Sequence, residues 1–363
     1  MNSDRVSRLA NLLDQEGVDA FLAWDPVTTG YLFDSHEHAG ERFMIIAVKA
    51  GEPTWMICPA LSVDQAKRAG IERIQGWRDG EDPLALFDEL AGDWDLRTGI
   101  LAVDNQMPAH LLLTLQDALP AALFREGQSL LSRLMRKKDE YELAELRKVA
   151  VMTDDAWDEI LPTIRAGETE RQLAQRLDEA MRRRGGRTDF CIVAAGANAA
   201  EPHHLSDDSV LSEGDSVVID FGCSLPSGYR SDITRTVCIG TPSDQLSKVY
   251  GTVYDAHMAG RRAAKVGATG EEVDQAARQL IEEAGYGDYF VHRTGHGLGM
   301  RGHEEPYIVR GNIEALQENE VFSIEPGIYI PGSLGVRIEN IVVAKESGSE
   351  SLNREPSPSI LSV

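Results

Sequence analysis

The spacing of apolar residues changes period several times along the chain. Val6, Leu9, Leu12 and Leu13 form a helical stripe, broken by the charges of Arg5 and Arg8 and ending at Gly17. Short apolar runs at 20–24, 43–48, 54–58, 99–103 and around Leu123 read as strands, with helices starting at Leu61 and spanning 109–118. Residues 1–133 are therefore expected to form a small α/β domain. A charged stretch, Leu134-Met135-Arg136-Lys137-Lys138-Asp139, marks the boundary, and Leu143, Leu146, Val149 and Ala150 then recur at helical spacing. Thr169 with Gln172, and Thr269 with Glu272, have the spacing of capping boxes that open two more helices. Strands are expected at 190–195, 216–220, 232–239, 321–324 and 336–344. Helices alternating with antiparallel hairpins make residues 134–363 an α+β domain, and the Ser/Glu/Pro-rich segment from Ser347 reads as a frayed tail.

Two of these hairpins carry carboxylates placed symmetrically about a turn: Asp220 and Asp232 about Pro226, and Glu325 and Glu339 about Gly332. Such symmetry predicts that each pair faces across an antiparallel ladder, ~4.5–5.5 Å apart between β-carbons. Asp220 ends the apolar run Val217-Val218-Ile219, and Asp232 shares a strand face with Thr234 and Thr236, which points to a polar seam and not a random surface. Buried together without cations, four carboxylates would each cost several kcal/mol or be forced to protonate. Divalent metal resolves that conflict. His296, in Gly295-His296-Gly297-Leu298-Gly299, supplies a plausible nitrogen ligand. A set of hard oxygens with one imidazole suits a pair of Mn, Co, Fe or Zn ions better than a structural zinc.

The net charge of −23 argues against a nucleic-acid or anionic-membrane partner, because phosphate recognition needs basic patches. No run approaches the ~20 apolar residues of a membrane span, and the N-terminal helix has no cleavable signal core. Cys58, Cys191, Cys223 and Cys238 lie in apolar contexts without CxxC spacing and are expected to be reduced thiols. A cytoplasmic location follows as the expectation.

Five segments occur in order: Val218-Ile219-Asp220-Phe221-Gly222, Gly228-Tyr229-Arg230-Ser231-Asp232-Ile233-Thr234-Arg235-Thr236, Thr294-Gly295-His296-Gly297-Leu298-Gly299, Ser323-Ile324-Glu325-Pro326-Gly327-Ile328-Tyr329 and Gly335-Val336-Arg337-Ile338-Glu339. Together they resemble the pita-bread metallopeptidases, a group that includes Xaa-Pro aminopeptidases, prolidases, methionine aminopeptidases and the metal-free creatinases. The resemblance implies a creatinase-type N-terminal domain over 1–133 and a pita-bread catalytic domain over 134–363. It implies two divalent ions (Mn, Co or Zn) held by Asp220, Asp232, His296, Glu325 and Glu339. Glu325 would also move the water's proton, His303 would stabilise the tetrahedral oxyanion, and His203 and His292 would hold the substrate. Tyr329 and Arg337, next to the ligands, could touch substrate or only hydrogen-bond to the ligands, and His204 could simply pack beside His203.

The substrates implied are short proline-containing peptides cut at the Xaa-Pro bond. A dipeptidase is favoured over an aminopeptidase acting on longer peptides. The two differ in whether a cation captures the substrate's C-terminal carboxylate, for which Arg310, Arg301 and Arg42 are candidates. A creatinase-like amidinohydrolase or a non-catalytic peptide-binding module would have lost ligands, and the set is intact. A hydrolase or lyase of a small non-peptide substrate stays open, because fold and metals do not fix the substrate. Asn340 departs from the aspartate that relatives often place after the last glutamate. The loop 34–42, with Asp34, His36, Glu37, His38 and Arg42, reads either as a solvated loop or as one that closes the partner's pocket in a homodimer.

Overall fold

The computed structural model describes residues 2–35 and 40–363, so His36, Glu37 and His38 of the loop lie outside the described residues. The chain divides into two compact units, Met1–Met135 and Arg136–Val363. In the first, strands β1 (Ala20–Ala23), β2 (Ile45–Val48), β3 (Trp55–Pro59), β4 (Arg73–Trp77), β5 (Ile100–Val103) and β6 (Leu123–Glu126) form one mixed sheet of order β4-β3-β2-β1-β5-β6. Helices α1 (Ser3–Glu16), α2 (Pro26–Phe33), α3 (Val63–Arg68), α4 (Pro83–Asp93), α5 (Ala109–Ala118) and α6 (Gln128–Met135) accompany it. Leu22, Ile45, Ile57 and Leu101 of the sheet bury against Phe87, Leu90 and Leu115. The apolar pattern does not reveal β4, nor does helical spacing reveal α2, α4 or α6. For α4 a local signal existed: Asp82 caps the helix by accepting from Leu84 N at 3.0 Å, and Pro83 follows it.

In the second unit, helices α7 (Glu140–Ile160), α8 (Glu170–Arg183), α9 (Asp244–Ala263) and α10 (Gly270–Glu283) pack against strands that carry the site. The capping boxes at Thr169/Gln172 and Thr269/Glu272 are both formed. One sheet has the order β17-β9-β8-β7, built from β7 (Arg187–Ala195), β8 (Ser216–Ser224), β9 (Ile233–Cys238) and β17 (Leu361–Ser362). Another has the order β11-β10-β12-β15-β16, from β10 (Gly295–Gly297), β11 (Glu304–Ile308), β12 (Val321–Ile324), β15 (Asn340–Lys345) and β16 (Gly348–Ser351). Strands β13 (Gly327–Ile330) and β14 (Leu334–Arg337) form a hairpin that turns at Gly332, whose φ of 70° favours glycine.

Strand alternation sorts these side chains onto two faces. Val217, Ile219 and Phe221 of β8 pack with Trp157, Leu173 and Leu177 from α7 and α8, each side chain contributing ~1.5–3 kcal/mol by burial. Phe322 and Ile324 of β12 pack with Val342 and Ala344, and Ile328, Val336 and Ile338 pack with residues of α9. The intervening positions, Asp220, Ser323, Glu325, Arg337 and Glu339, are thereby committed to the opposite faces. The apolar core decides where the polar site can be.

Two expectations are corrected. In the first carboxylate hairpin, Asp220 pairs with Thr234 and not with Asp232. The ladder centres one residue later than Pro226, because the turn is wider than a tight hairpin and Ser224 bridges Arg230. The two-residue register shift keeps Asp232 on the same face as Asp220, as a diagonal neighbour. The ladders flanking the second hairpin do centre on Gly332, with Ile324 opposite Asn340 and Gly327 opposite Arg337. Nor is the C-terminal segment frayed. β16 pairs with β15 and β17 runs parallel to β9, while Asn353 Oδ1 accepts from Ile341 N at 2.9 Å. The backbone donors and acceptors along β9 need partners, and the polar tail supplies them.

Candidate metal centre and active site

Asp220, Asp232, His296, Glu325 and Glu339 all line one cavity of about 550 Å³, together with His203, His292, His303 and Arg337. His296 sits where its flanking glycines are obligatory. A β-carbon at Gly295 would meet the Ser323 carbonyl oxygen at 1.9 Å, and one at Gly297 would meet the Glu305 oxygen at 2.2 Å. From there His296 Nε2 lies 3.2 Å from Glu325 Oε1 and 3.9 Å from Asp232 Oδ2. Asp232, His296 and Glu339 offer ligand atoms that all lie within 4.8 Å of one another. Glu325 directly follows β12: its N–H donates to Thr294 O at 2.8 Å, and Ser323 Oγ donates to its Oε1 at 3.0 Å. Glu339 Oε2 accepts from Thr234 Oγ1 at 2.9 Å, so the Thr234–Thr236 face is indeed a polar seam.

The electrostatics call for a cation. Burial, reinforced by Glu339, Asp220 and Glu325, pushes the Asp232 carboxyl well up, and burial with Glu325 and Asp220 does the same to Glu339. Glu325 goes the other way: burial opposes its charge, but the hydrogen bond and charge of His296 outweigh it and lower its pKa. Asp220 Oδ1 and Glu339 Oε1 are buried with no hydrogen-bond partner among the described residues. Orphaned carboxylate oxygens facing an imidazole in one cavity are a donor set that divalent ions fit. Asp220 differs from the others in having Arg337 Nη2 at 2.7 Å from its Oδ2.

The substrate side of the cavity is held from behind. Arg337 is buried and donates to Tyr329 Oη at 2.7 Å and to Thr234 Oγ1 at 3.1 Å; burial opposes its charge, yet Tyr329 and Asp220 hold it protonated. Tyr329, for which substrate contact and a supporting hydrogen bond were both open, is not in the cavity wall. Its hydroxyl lies behind the wall, 2.9 Å from His292 Nε2, and burial raises its pKa to about 12. His303 stacks on His296 with ring centroids 3.8 Å apart. Arg293 Nη2 donates to His303 Nδ1 at 3.1 Å, which leaves the ring's proton on Nε2. Burial, with His296 and Arg293 adding to it, lowers the His303 pKa to about 4, so the ring is neutral near pH 7.

Two of the candidate carboxylate-binding cations, Arg310 and Arg301, are corrected as well. Arg310 is 65% exposed and 3.6 Å from Glu282, away from the cavity wall. Arg301 does not line the cavity, and Arg42, in the first unit, pairs with Asp79 at 3.2 Å. The arginines that line it are Arg230, Arg293 and Arg337. Nothing in the sequence around Arg293 singles it out, although it adjoins His292. Also unforeseen is Asp274, buried on α10, which accepts from Thr294 Oγ1 at 2.7 Å and pairs with Arg278. Arg278 in turn donates to His292 O at 2.8 Å, so the pair fixes the segment that carries His292, Arg293 and His296.

Sequence comparison agrees with this geometry. Residues 144–346 match the profile described as "Metallopeptidase family M24", and residues 5–135 match "Creatinase/Prolidase N-terminal domain". The chain belongs to metallopeptidase family M24, and its catalytic unit has the pita-bread α+β fold. It is 39% identical over 347 residues to a protein of Mycobacterium tuberculosis named "Probable dipeptidase PepE", covering 93% of this chain and 92% of the relative. It is 36% identical to the "Xaa-Pro dipeptidase" of Lactobacillus helveticus, covering 96% and 95% of the two chains. Among solved structures, the recombinant prolidase of Thermococcus sibiricus superimposes with a TM-score of 0.94 at 31% identity, covering 100% of both chains. The family acts through divalent metal ions. Among the described residues no helix is long and apolar enough to cross a membrane.

Proposed function

We propose that the protein is a dinuclear metal-dependent Xaa-Pro dipeptidase, with Asp220, Asp232, His296, Glu325 and Glu339 as the metal ligands. The observation that carries this reading is the convergence of Asp220, Asp232, Glu325 and Glu339, with unpartnered oxygens on Asp220 and Glu339 among the described residues, and of four histidines on one cavity. Relatives that share nearly the whole chain are named dipeptidases, which supports the substrate class. When bound, two divalent ions (Mn, Co or Zn) supply Lewis acidity and acidify a water towards neutrality.

The chain's own residues do the rest. Glu325, hydrogen-bonded by Ser323 and beside His296, takes the attacking water's proton and delivers it to the departing proline nitrogen. His303, its tautomer set by Arg293, donates from Nε2 to the oxyanion as the carbonyl becomes tetrahedral. His203 and His292 hold the substrate around the proline. Tyr329 keeps His292 and Arg337 in place and makes no substrate contact itself, while Arg337 holds Asp220. Arg293 and Arg230 are the cations in reach of a free C-terminal carboxylate.

Residues 1–133 take the part of a creatinase-type N-terminal domain and 134–363 that of the catalytic domain, in a homodimer. Cysteines held as thiols, with no disulfide among the described residues, suit a cytoplasmic, reducing setting. Enzyme reconstituted with Mn, Co or Zn should hold about two ions per chain and should cleave Xaa-Pro dipeptides faster than Xaa-Pro-Xaa tripeptides. Preference for tripeptides would make it an aminopeptidase, and one ion at full activity would remove the dinuclear assignment.

A further inference from the structure

Outside the cavity, Glu170, His204 and Asp207 form a second group with metal-like side chains whose ligand atoms lie within 4.8 Å of one another. Their hydrogen bonds argue against an ion there. Glu170 is wholly buried on the first turn of α8. Its Oε1 accepts from Ala195 N at 2.8 Å and from Asn198 Nδ2 at 3.0 Å. Its Oε2 accepts from Asp207 N at 3.1 Å and lies 2.7 Å from His204 Nε2. Four donors occupy the four lone-pair directions of one carboxylate, leaving none for a cation.

All four donors belong to one short stretch, 195–207, and Pro202 and His203 of that stretch form part of the cavity wall. His203 is exposed, and among the described residues its ring has no hydrogen-bond partner. Only the backbone around it can set where its imidazole stands. The backbone is pinned on both sides, before His203 at Ala195 and Asn198, and after it at His204 and Asp207.

The geometry points to Glu170 and His204 as positioning residues that hold His203 at the substrate through the backbone of this loop. The inference rests on the reading of His203 as a substrate contact. A displaced binding group weakens substrate binding before it touches proton transfer or metal, so the effect belongs in KM.

In the metal-loaded full-length enzyme, His204→Ala should raise KM for an Xaa-Pro dipeptide about tenfold, the scale of one hydrogen bond to a charged group, with kcat and metal content held. His204→Gln, which keeps a nitrogen donor, should recover most of the loss. Glu170→Gln, which turns an amide nitrogen towards donors, should behave like His204→Ala. The discriminating measurement is a double-mutant cycle: in a His203→Ala background, His204→Ala should add little. Multiplying effects, an unchanged KM in His204→Ala where His203→Ala does raise it, or loss of a metal ion with His204→Ala would overturn the clasp. A silent His203→Ala would instead refute the substrate role of His203, and with it any positioning through that residue. Equal unfolding midpoints for wild type and His204→Gln separate these results from simple destabilisation.

Discussion

Glu325→Gln should lower kcat on the order of 10²–10⁴-fold, the usual contribution of a positioned acid/base group. The residue is well placed for that role. It directly follows β12, its backbone is tied to Thr294, its carboxylate takes a hydrogen bond from Ser323, and His296 lowers its pKa against the effect of burial. Glutamine preserves the shape and removes both the proton acceptor and one ligand charge, so metal must be measured alongside rate. Elemental analysis under saturating metal separates the two losses. An enzyme carrying its full metal complement and working within tenfold of wild type would show that another group moves the proton.

His303→Ala should lower kcat on the order of 10²–10³-fold with a smaller change in KM, because an oxyanion donor acts mainly in the transition state. Metal content should be unchanged. Since the His303 pKa is lowered to about 4, its ring stays neutral through the assay range, and the pH dependence of kcat between about 6 and 8 should not change when it is removed. Loss of an ion in His303→Ala would make it a ligand. Loss of a pH-rate limb in that range would mean that it transfers a proton instead of donating a hydrogen bond.

Local sequence signals account for much of this architecture. The capping boxes at Thr169 and Thr269, the apolar runs of β8 and β12, the Thr234–Thr236 polar face and the glycines around His296 are each specified within a few residues, because helix caps, strand alternation and close backbone approach are short-range effects. Family resemblance, carried by five short segments in order, supplied the enzyme class.

Tertiary structure decided what depends on packing between distant segments. Asp274 and Arg278 have the spacing of an exposed helical ion pair, and Glu170 that of an ordinary first-turn acid; both carboxylates are buried because loops fold back over them. The bonds from Arg337 to Asp220 and from Thr234 to Glu339 each join residues more than a hundred positions apart. The register of the first hairpin shifted by two because a wide turn leaves no short-range rule to fix it, and the tail after Ser347 became two strands because β9 and β15 had edges to fill. The sequence by itself determined which residues could do the chemistry and on which strand faces they stand, since period and capping act locally. Which of them meet, and which arginines share their cavity, was settled only when the apolar faces packed and brought the polar ones together.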